Sequence, residues 1–210
     1  MGRNPERDLR VREMQKQKIL ETAFSVFAEK GIGTVSMNEI AAACGISYAT
    51  LYRQFSTKAA LVMAINSRIW NDFLRDYQQR ADVSKMNAAE EFGFYLDFFL
   101  DLYRNHRGIL RFNQFFNVYV QVEKLTPDQV RDFLDQINII AGYFHKIYEK
   151  GQIDKTLRTD IPENEMFSAT MHLMLAAVTR YSVGLIFQNH NETEKELYLL
   201  RELLFSHYCA

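Results

Sequence analysis

Residues 36–55 read SMNEIAAACGISYATLYRQF. Ser36 and Glu39 have the spacing of a capping box, in which the serine oxygen takes the third backbone N–H and the glutamate reaches back to the cap. This predicts a short helix that opens at Ser36 and stops at Gly45. Ser47 caps a second short helix, Tyr48 to about Gln54, ended by Phe55 and Ser56. Cys44-Gly45-Ile46-Ser47 is then a tight turn, with glycine at a corner that often needs a positive φ. Ile40, Ile46 and Leu51 are spaced to pack the pair against an earlier helix. The second helix presents Ser47, Tyr48, Thr50, Tyr52, Arg53 and Gln54, types that suit phosphate and base-edge contacts. On pattern alone two readings fit: a helix-turn-helix, or a helical hairpin with a polar outer face.

Upstream, Ile19, Leu20, Ala23, Phe24, Phe27 and Ala28 recur at helical spacing, so a first helix is expected from about Glu13 to Lys30, with Gly31 behind it. Arg3, Arg7, Arg10 and Arg12 precede it in a segment read as a disordered or frayed arm, which either reaches DNA or stays solvated. Downstream, Leu61, Ile65, Ile69 and Phe73 repeat every four residues, and a fourth helix is expected from Lys58 to about Arg80. A loop at 82–87 separates it from a helix at 88–105, apolar on nearly every face. Further helices are expected at 109–122, from Thr126-Pro127 to Lys150 with Gly151 as the stop, from Pro162 to about Gln188, and from Glu194 to about His207. No strand and no internal repeat is apparent, so the fold class is all-α: a three-helix amino-terminal domain, residues 1–60, and a larger helical domain, residues 61–210, about nine helices in all.

Composition narrows the function. Only nine Gly and three Pro occur in 210 residues, which argues against collagen-like, low-complexity and sandwich folds. Cys44 and Cys209 are too few for a disulfide framework or a structural zinc site. No metal or cofactor is expected. The start has no apolar signal segment, and no apolar run approaches the ~18 residues of a membrane span, so a cytoplasmic protein with no membrane partner is expected. The formal net charge is +3 over residues 1–60 and −4 over the rest, a basic head on an acidic body. An enzyme has no support here: there is no Gly-x-Ser-x-Gly, no glycine-rich phosphate loop, no His-Glu-x-x-His, and no Glu three residues before any histidine.

The run Ile19-Leu20-x-x-Ala23-x-x-x-Phe27-x-x-x-Gly31, followed by Thr34-x-Ser36-x-x-x-Ile40-Ala41-x-x-Cys44-Gly45-Ile46-Ser47-x-x-Thr50-Leu51-Tyr52-x-x-Phe55-x-x-Lys58-x-x-Leu61, resembles the TetR family of bacterial transcriptional regulators. The likeness is specific over about residues 15–63 and architectural beyond, though Leu157-Arg158-Thr159-Asp160 also resembles the connector before the eighth helix. The resemblance implies DNA-binding roles for Ser36, Ser47, Tyr48, Thr50, Tyr52, Arg53 and Lys58. Ser36, Tyr52 and Lys58 match phosphate contacts; Ser47, Tyr48 and Thr50 enter the groove; Arg53 stands where many members have His. Leu51 and Phe55 are core. Tyr48 departs from a frequent Lys, so base preference is not inherited. Cys44 replaces a frequent Ala and reads as buried packing.

Half of the 28 aromatic residues lie between Phe92 and Tyr148. They are core residues, the walls of a pocket, or both. The family uses this region to enclose a small molecule, which implies an apolar ligand against Phe98, Tyr103, Phe112, Phe116, Tyr119, Tyr143 and Met171, with Asn113, His172 and Arg180 as polar contacts. Leu173, Leu175, Val178, Leu185, Leu197, Leu200 and Leu204 either close the monomer core or pair two subunits through the last two helices. The family implies the homodimer, hence a repressor on a palindromic operator of double-stranded DNA, released by ligand. The alternatives are a ligand-binding or adaptor bundle without DNA activity and, more remotely, an all-α enzyme.

Overall fold

A computed structural model of the chain describes residues 5–184 and 190–209. Among them run α1 (Pro5–Lys30), α2 (Met37–Cys44), α3 (Tyr48–Gln54), α4 (Lys58–Gln78), α5 (Ala88–Asn105), α6 (Arg107–Val122), α7 (Arg131–Asp154), α8 (Glu163–Val183) and α9 (His190–Tyr208). The chain is all-α, as its sequence predicts. The described residues contain no strand, only an isolated antiparallel bridge between Leu157 and Cys209. No described helix is long and apolar enough to cross a membrane. Two compact units emerge: Met1–Ile69 with Phe112–Phe133, and Trp70–Arg111 with Leu134–Ala210. The helices α4 and α6 contribute residues to both.

Several helix boundaries differ from expectation. The helix expected from Thr126-Pro127 begins instead at Arg131, behind a turn in which Gln129 Oε1 accepts the Thr126 N–H at 2.9 Å, and the one expected to reach about Gln188 ends at Val183. The first helix begins at Pro5 rather than near Glu13, so Arg7, Arg10 and Arg12 are helical and exposed, not an irregular arm. Proline suits a first helical turn, and the Arg, Leu, Glu and Gln beyond are good helix formers. Arg3 lies outside the described residues. The last helix begins at His190, ahead of Glu194. At the other end of the expected 126–150 helix, α7 runs through Gly151 and stops at Lys155, whose φ is +61°.

Gly151 is therefore a close-approach residue rather than a stop. A Cβ there would sit 2.8 Å from Cβ of Leu157. Leu157 cannot easily move away, because its backbone bridges Cys209 and the next N–H, of Arg158, donates to the Tyr208 carbonyl at 2.7 Å. Gly151→Ala should thus lose more to overpacking, about 1–3 kcal/mol, than the ~1 kcal/mol of helix propensity it gains. A drop of a few degrees in thermal midpoint is expected; a rise would show that Leu157 yields.

In the first unit, Phe27, Ile32, Ile40, Leu51 and Leu61 are wholly buried around α1 to α4. In the second, α5 packs against α8 and α9, and Phe92, Leu96, Phe99 and Leu102 lose all exposure. The amino end of α5 is fixed twice. Asn87 and Glu90 form a capping box, and the Ala88 and Ala89 N–H groups donate to Asp154 Oδ2 (2.7 Å) and Thr156 Oγ1 (3.0 Å). The four N–H groups that a helix start leaves open are largely answered this way.

Candidate nucleic-acid interface

The helix pair α2–α3 is built by its caps. Ser36 Oγ accepts the Glu39 N–H at 3.2 Å, while Glu39 Oε2 accepts from both the N–H and the hydroxyl of Ser36 at 2.8 Å. The backbone bond from Ser36 leads the effects that hold the Glu39 carboxyl below its ordinary range. Gly45 adopts φ +68°, ψ +33°, and its N–H and that of Ile46 close the end of α2 on Ala42 and Ala41 carbonyls. Nothing lies within 4 Å of a Cβ placed at Gly45, so conformation rather than space demands the glycine. Ser47 Oγ then accepts the Thr50 N–H at 3.2 Å and opens α3.

One side of α3 is locked and the other is free. Leu51 is completely buried, and Phe55 and Cys44 join it in the core of the first unit. Burial raises the Cys44 pKa, as expected of a packing cysteine. On the outside, Tyr48 and Tyr52 are 48% and 52% exposed, one turn apart, with rings stacked 6.1 Å centroid to centroid. Ser47 and Arg53 are exposed and Thr50 half-buried. Arg53 and Gln54 of α3, with Arg12 and Gln15 of α1, border an open cleft of about 380 Å³. The sequence treated Arg12 as part of a separate arm; its place beside Arg53 follows from the helical extension of α1.

Two of the positions behave differently from the rest. The Ser36 hydroxyl is committed to Glu39 at both ends, its proton to the carboxylate and its oxygen to the backbone N–H, so donating to a phosphate requires the proton to leave Glu39. Lys58 follows Thr57, which caps α4 by accepting the Ala60 N–H at 3.0 Å. Its ammonium lies over the rings of Tyr119 (5.6 Å) and Phe27 (6.0 Å). Burial pulls the Lys58 pKa down, against the opposing charges of Glu123 and Glu39.

The residues tied by resemblance to a ligand are not brought together. Phe98 and Tyr143 line a cavity of about 270 Å³ within the second unit. Met171 is not among the lining residues but accepts a hydrogen bond at its sulfur from the hydroxyl of Tyr95, which is, at 3.0 Å. Tyr103 is buried with the Arg107 guanidinium 4.4 Å over its ring, and His172 and Arg180 are exposed. Phe112, Phe116 and Tyr119 belong to the core of the first unit, with Phe112 beside Phe24 and Phe116 beside Phe133. Asn113 is buried beside them. The reason is helical phase: positions 112, 116 and 119 form a single face of α6, and one face has one environment. The sequence reading missed Tyr77, Phe94 and Lys146 in the cavity wall. For Lys146 the signal was the stripe Ile140, Tyr143, Ile147 on α7, which it interrupts.

Residues 19–65 match the family model of the bacterial regulatory proteins of the tetR family. An HTH-type transcriptional regulator of Staphylococcus aureus (strain MRSA252) is 33% identical over 96 residues, 46% of this chain and 51% of that protein. One from the bovine strain RF122 / ET3-1 is 39% identical over 67 residues, 32% of this chain and 36% of that protein. The chain thus spans about half the length, or less, of the curated relatives it matches. A tetR-family regulatory protein from Rhodococcus RHA1 superposes with a TM-score of 0.74 at 20% identity, covering 93% of this chain and 98% of the other. The fatty acid degradation regulator FadR from Bacillus halodurans gives 0.67 at 14%, covering 98% and 97%. The capped helix pair, its left-handed glycine corner and its buried leucine all fall inside residues 19–65, the stretch that matches the tetR family model.

Proposed function

We propose that the chain is a DNA-binding transcriptional repressor, holding a palindromic operator as a homodimer and leaving it when a small apolar ligand binds. The observation that carries this reading is the split character of α3: Leu51 is fixed in the core while Tyr48, Tyr52 and Arg53 face outward. A helix anchored on one side and polar on the other is what a major groove admits. Tyr52 and Lys58 supply backbone contacts that position the helix, and Ser36 adds one when its hydroxyl turns from Glu39 to a phosphate; Ser47, Tyr48 and Thr50 enter the groove and Arg53 reads a base edge.

The dimer rests on α8 and α9. Val178, Leu197 and Leu204 are buried within the subunit, and Leu175 and Leu200 are half-buried. Leu185 lies outside the described residues. Leu173 remains exposed, with Leu199 and Leu203 on one face of α9. These exposed leucines are the surface a second copy covers. Two recognition helices would then lie about 34–36 Å apart, one turn of DNA. Ligand in the second unit acts on the head through α4, whose residues 58–69 belong to one unit and 70–78 to the other. A coupling of ~1–3 kcal/mol weakens DNA binding roughly 5–150-fold.

Selection of random duplex DNA by the purified chain, against a non-specific competitor at near-physiological salt, tests this. One palindromic sequence is the expected outcome. A chain that stays monomeric at micromolar concentration removes the palindrome. An empty selection, repeated after unfolding and refolding to strip any copurified ligand, removes the DNA reading and leaves a ligand-binding bundle.

A further inference from the structure

The cavity in the second unit lies among α4, α5 and α7, and its wall is mostly apolar, with the rings of Tyr77, Phe94, Phe98 and Tyr143. Its polar groups are largely spent on the protein itself. The Tyr77 hydroxyl donates to the Phe94 carbonyl at 2.7 Å. Glu91 reaches the cavity, but its carboxylate is paired with Lys150, which also donates to two backbone carbonyls. Lys146 differs. It lines the same cavity and is exposed, so it stands at the mouth, with its ammonium 5.9 Å from the centre of the Tyr143 ring. Among the described residues no carboxylate forms an ion pair with it.

We propose that this cavity takes a small amphipathic anion, an apolar body with one carboxylate or sulfonate head, and that Lys146 is its counter-charge. The inference rests on the reading above that the second unit binds a small molecule, and it names the class. Size limits the body: at about 30 Å³ per water-sized group, 270 Å³ holds roughly nine such groups, a bicyclic ring system or a medium-length chain. Charge fixes the head. An organic cation could use the aromatic rings, but it would meet the like charge of Lys146 and find Glu91 already neutralised. An anion meets an ammonium with no competing carboxylate, and its body replaces water against the rings.

Titration calorimetry on the full chain, without DNA, with three matched probes decides the matter: naphthalene-2-carboxylate, the neutral naphthalene-2-carboxamide, and the cationic naphthalen-2-ylmethylammonium. The carboxylate should bind about fivefold more tightly than the amide, the upper end for a solvent-facing ion pair. Lys146→Met should erase that preference and leave amide affinity unchanged, which a general loss of folding would not do. Phe98→Trp, which fills the cavity, should weaken both. A preference for the ammonium probe, a carboxylate preference that survives Lys146→Met, or no binding of any probe at millimolar concentration overturns the proposal. Because no DNA is present, its failure leaves the operator selection standing. An empty selection with carboxylate binding intact removes the regulator and keeps the cavity.

Discussion

Replacing Lys150 by Met should lower the stability of the second unit by about 2 kcal/mol, read as a fall of roughly 4–8 °C in thermal midpoint. The side chain holds three acceptors at once: the Val83 carbonyl at 3.1 Å, the Met86 carbonyl at 3.0 Å and the Glu91 carboxylate. Methionine keeps most of the packing volume and removes every donor. Two carbonyls of the turn before α5 lose a partner. The Glu91 carboxylate, only 13% exposed, loses its cation. Breaking a fully buried pair costs ~3–5 kcal/mol, but Lys150 is 30% exposed and water can reach the site, so the smaller figure applies. If the orphaned charge dominates, Lys150→Met with Glu91→Gln should regain about half the loss, a non-additivity that a double-mutant cycle reads directly. If the carbonyls dominate, the double variant regains nothing. Val83 and Glu91 also line the cavity, so the single variant should weaken the naphthalene probes as well.

That clamp was illegible in the sequence, and the reason is distance along the chain. Lys150 and Glu91 lie 59 positions apart, and nothing in local spacing links them. Local devices were legible: the Ser36–Glu39 capping box, the Gly45 corner and the Ser47 cap are set by residues within a few positions of one another. Gly151 shows the boundary between the two. Glycine after a long periodic stretch reads as a stop, yet here it admits Leu157, a contact that only the folded chain reveals. The aromatic region was only partly legible for a related reason. Composition showed that rings cluster between Phe92 and Tyr148, but Phe98 and Phe112 went to different cores by helical phase and tertiary partner. Outward positions of α3 were recoverable because one buried leucine fixes the rotation of a short helix, and the remaining side chains follow from 100° per residue.

Arg53→Ala should lower affinity for the selected operator by roughly 5–150-fold, the ~1–3 kcal/mol of a bidentate contact to guanine. The size of the loss alone does not identify the role, since an arginine on phosphate also contributes. Two further readings separate them. A base contact, once removed, relaxes sequence preference at one position of each half-site; a phosphate contact weakens all sequences alike and lowers the slope of log affinity against log salt by about one. Arg12 supplies the internal comparison, because it borders the same cleft from α1. It stands on the helical extension rather than on α3, so Arg12→Ala should lower the salt slope by about one and leave base preference intact. Both side chains are exposed, so neither change should disturb the fold. If Arg12→Ala alters base preference while Arg53→Ala alters only the slope, the assignment of α3 as the base-reading helix fails at its most exposed charge. If both change only the slope, base reading falls to Tyr48 and Ser47 at the other end of the helix.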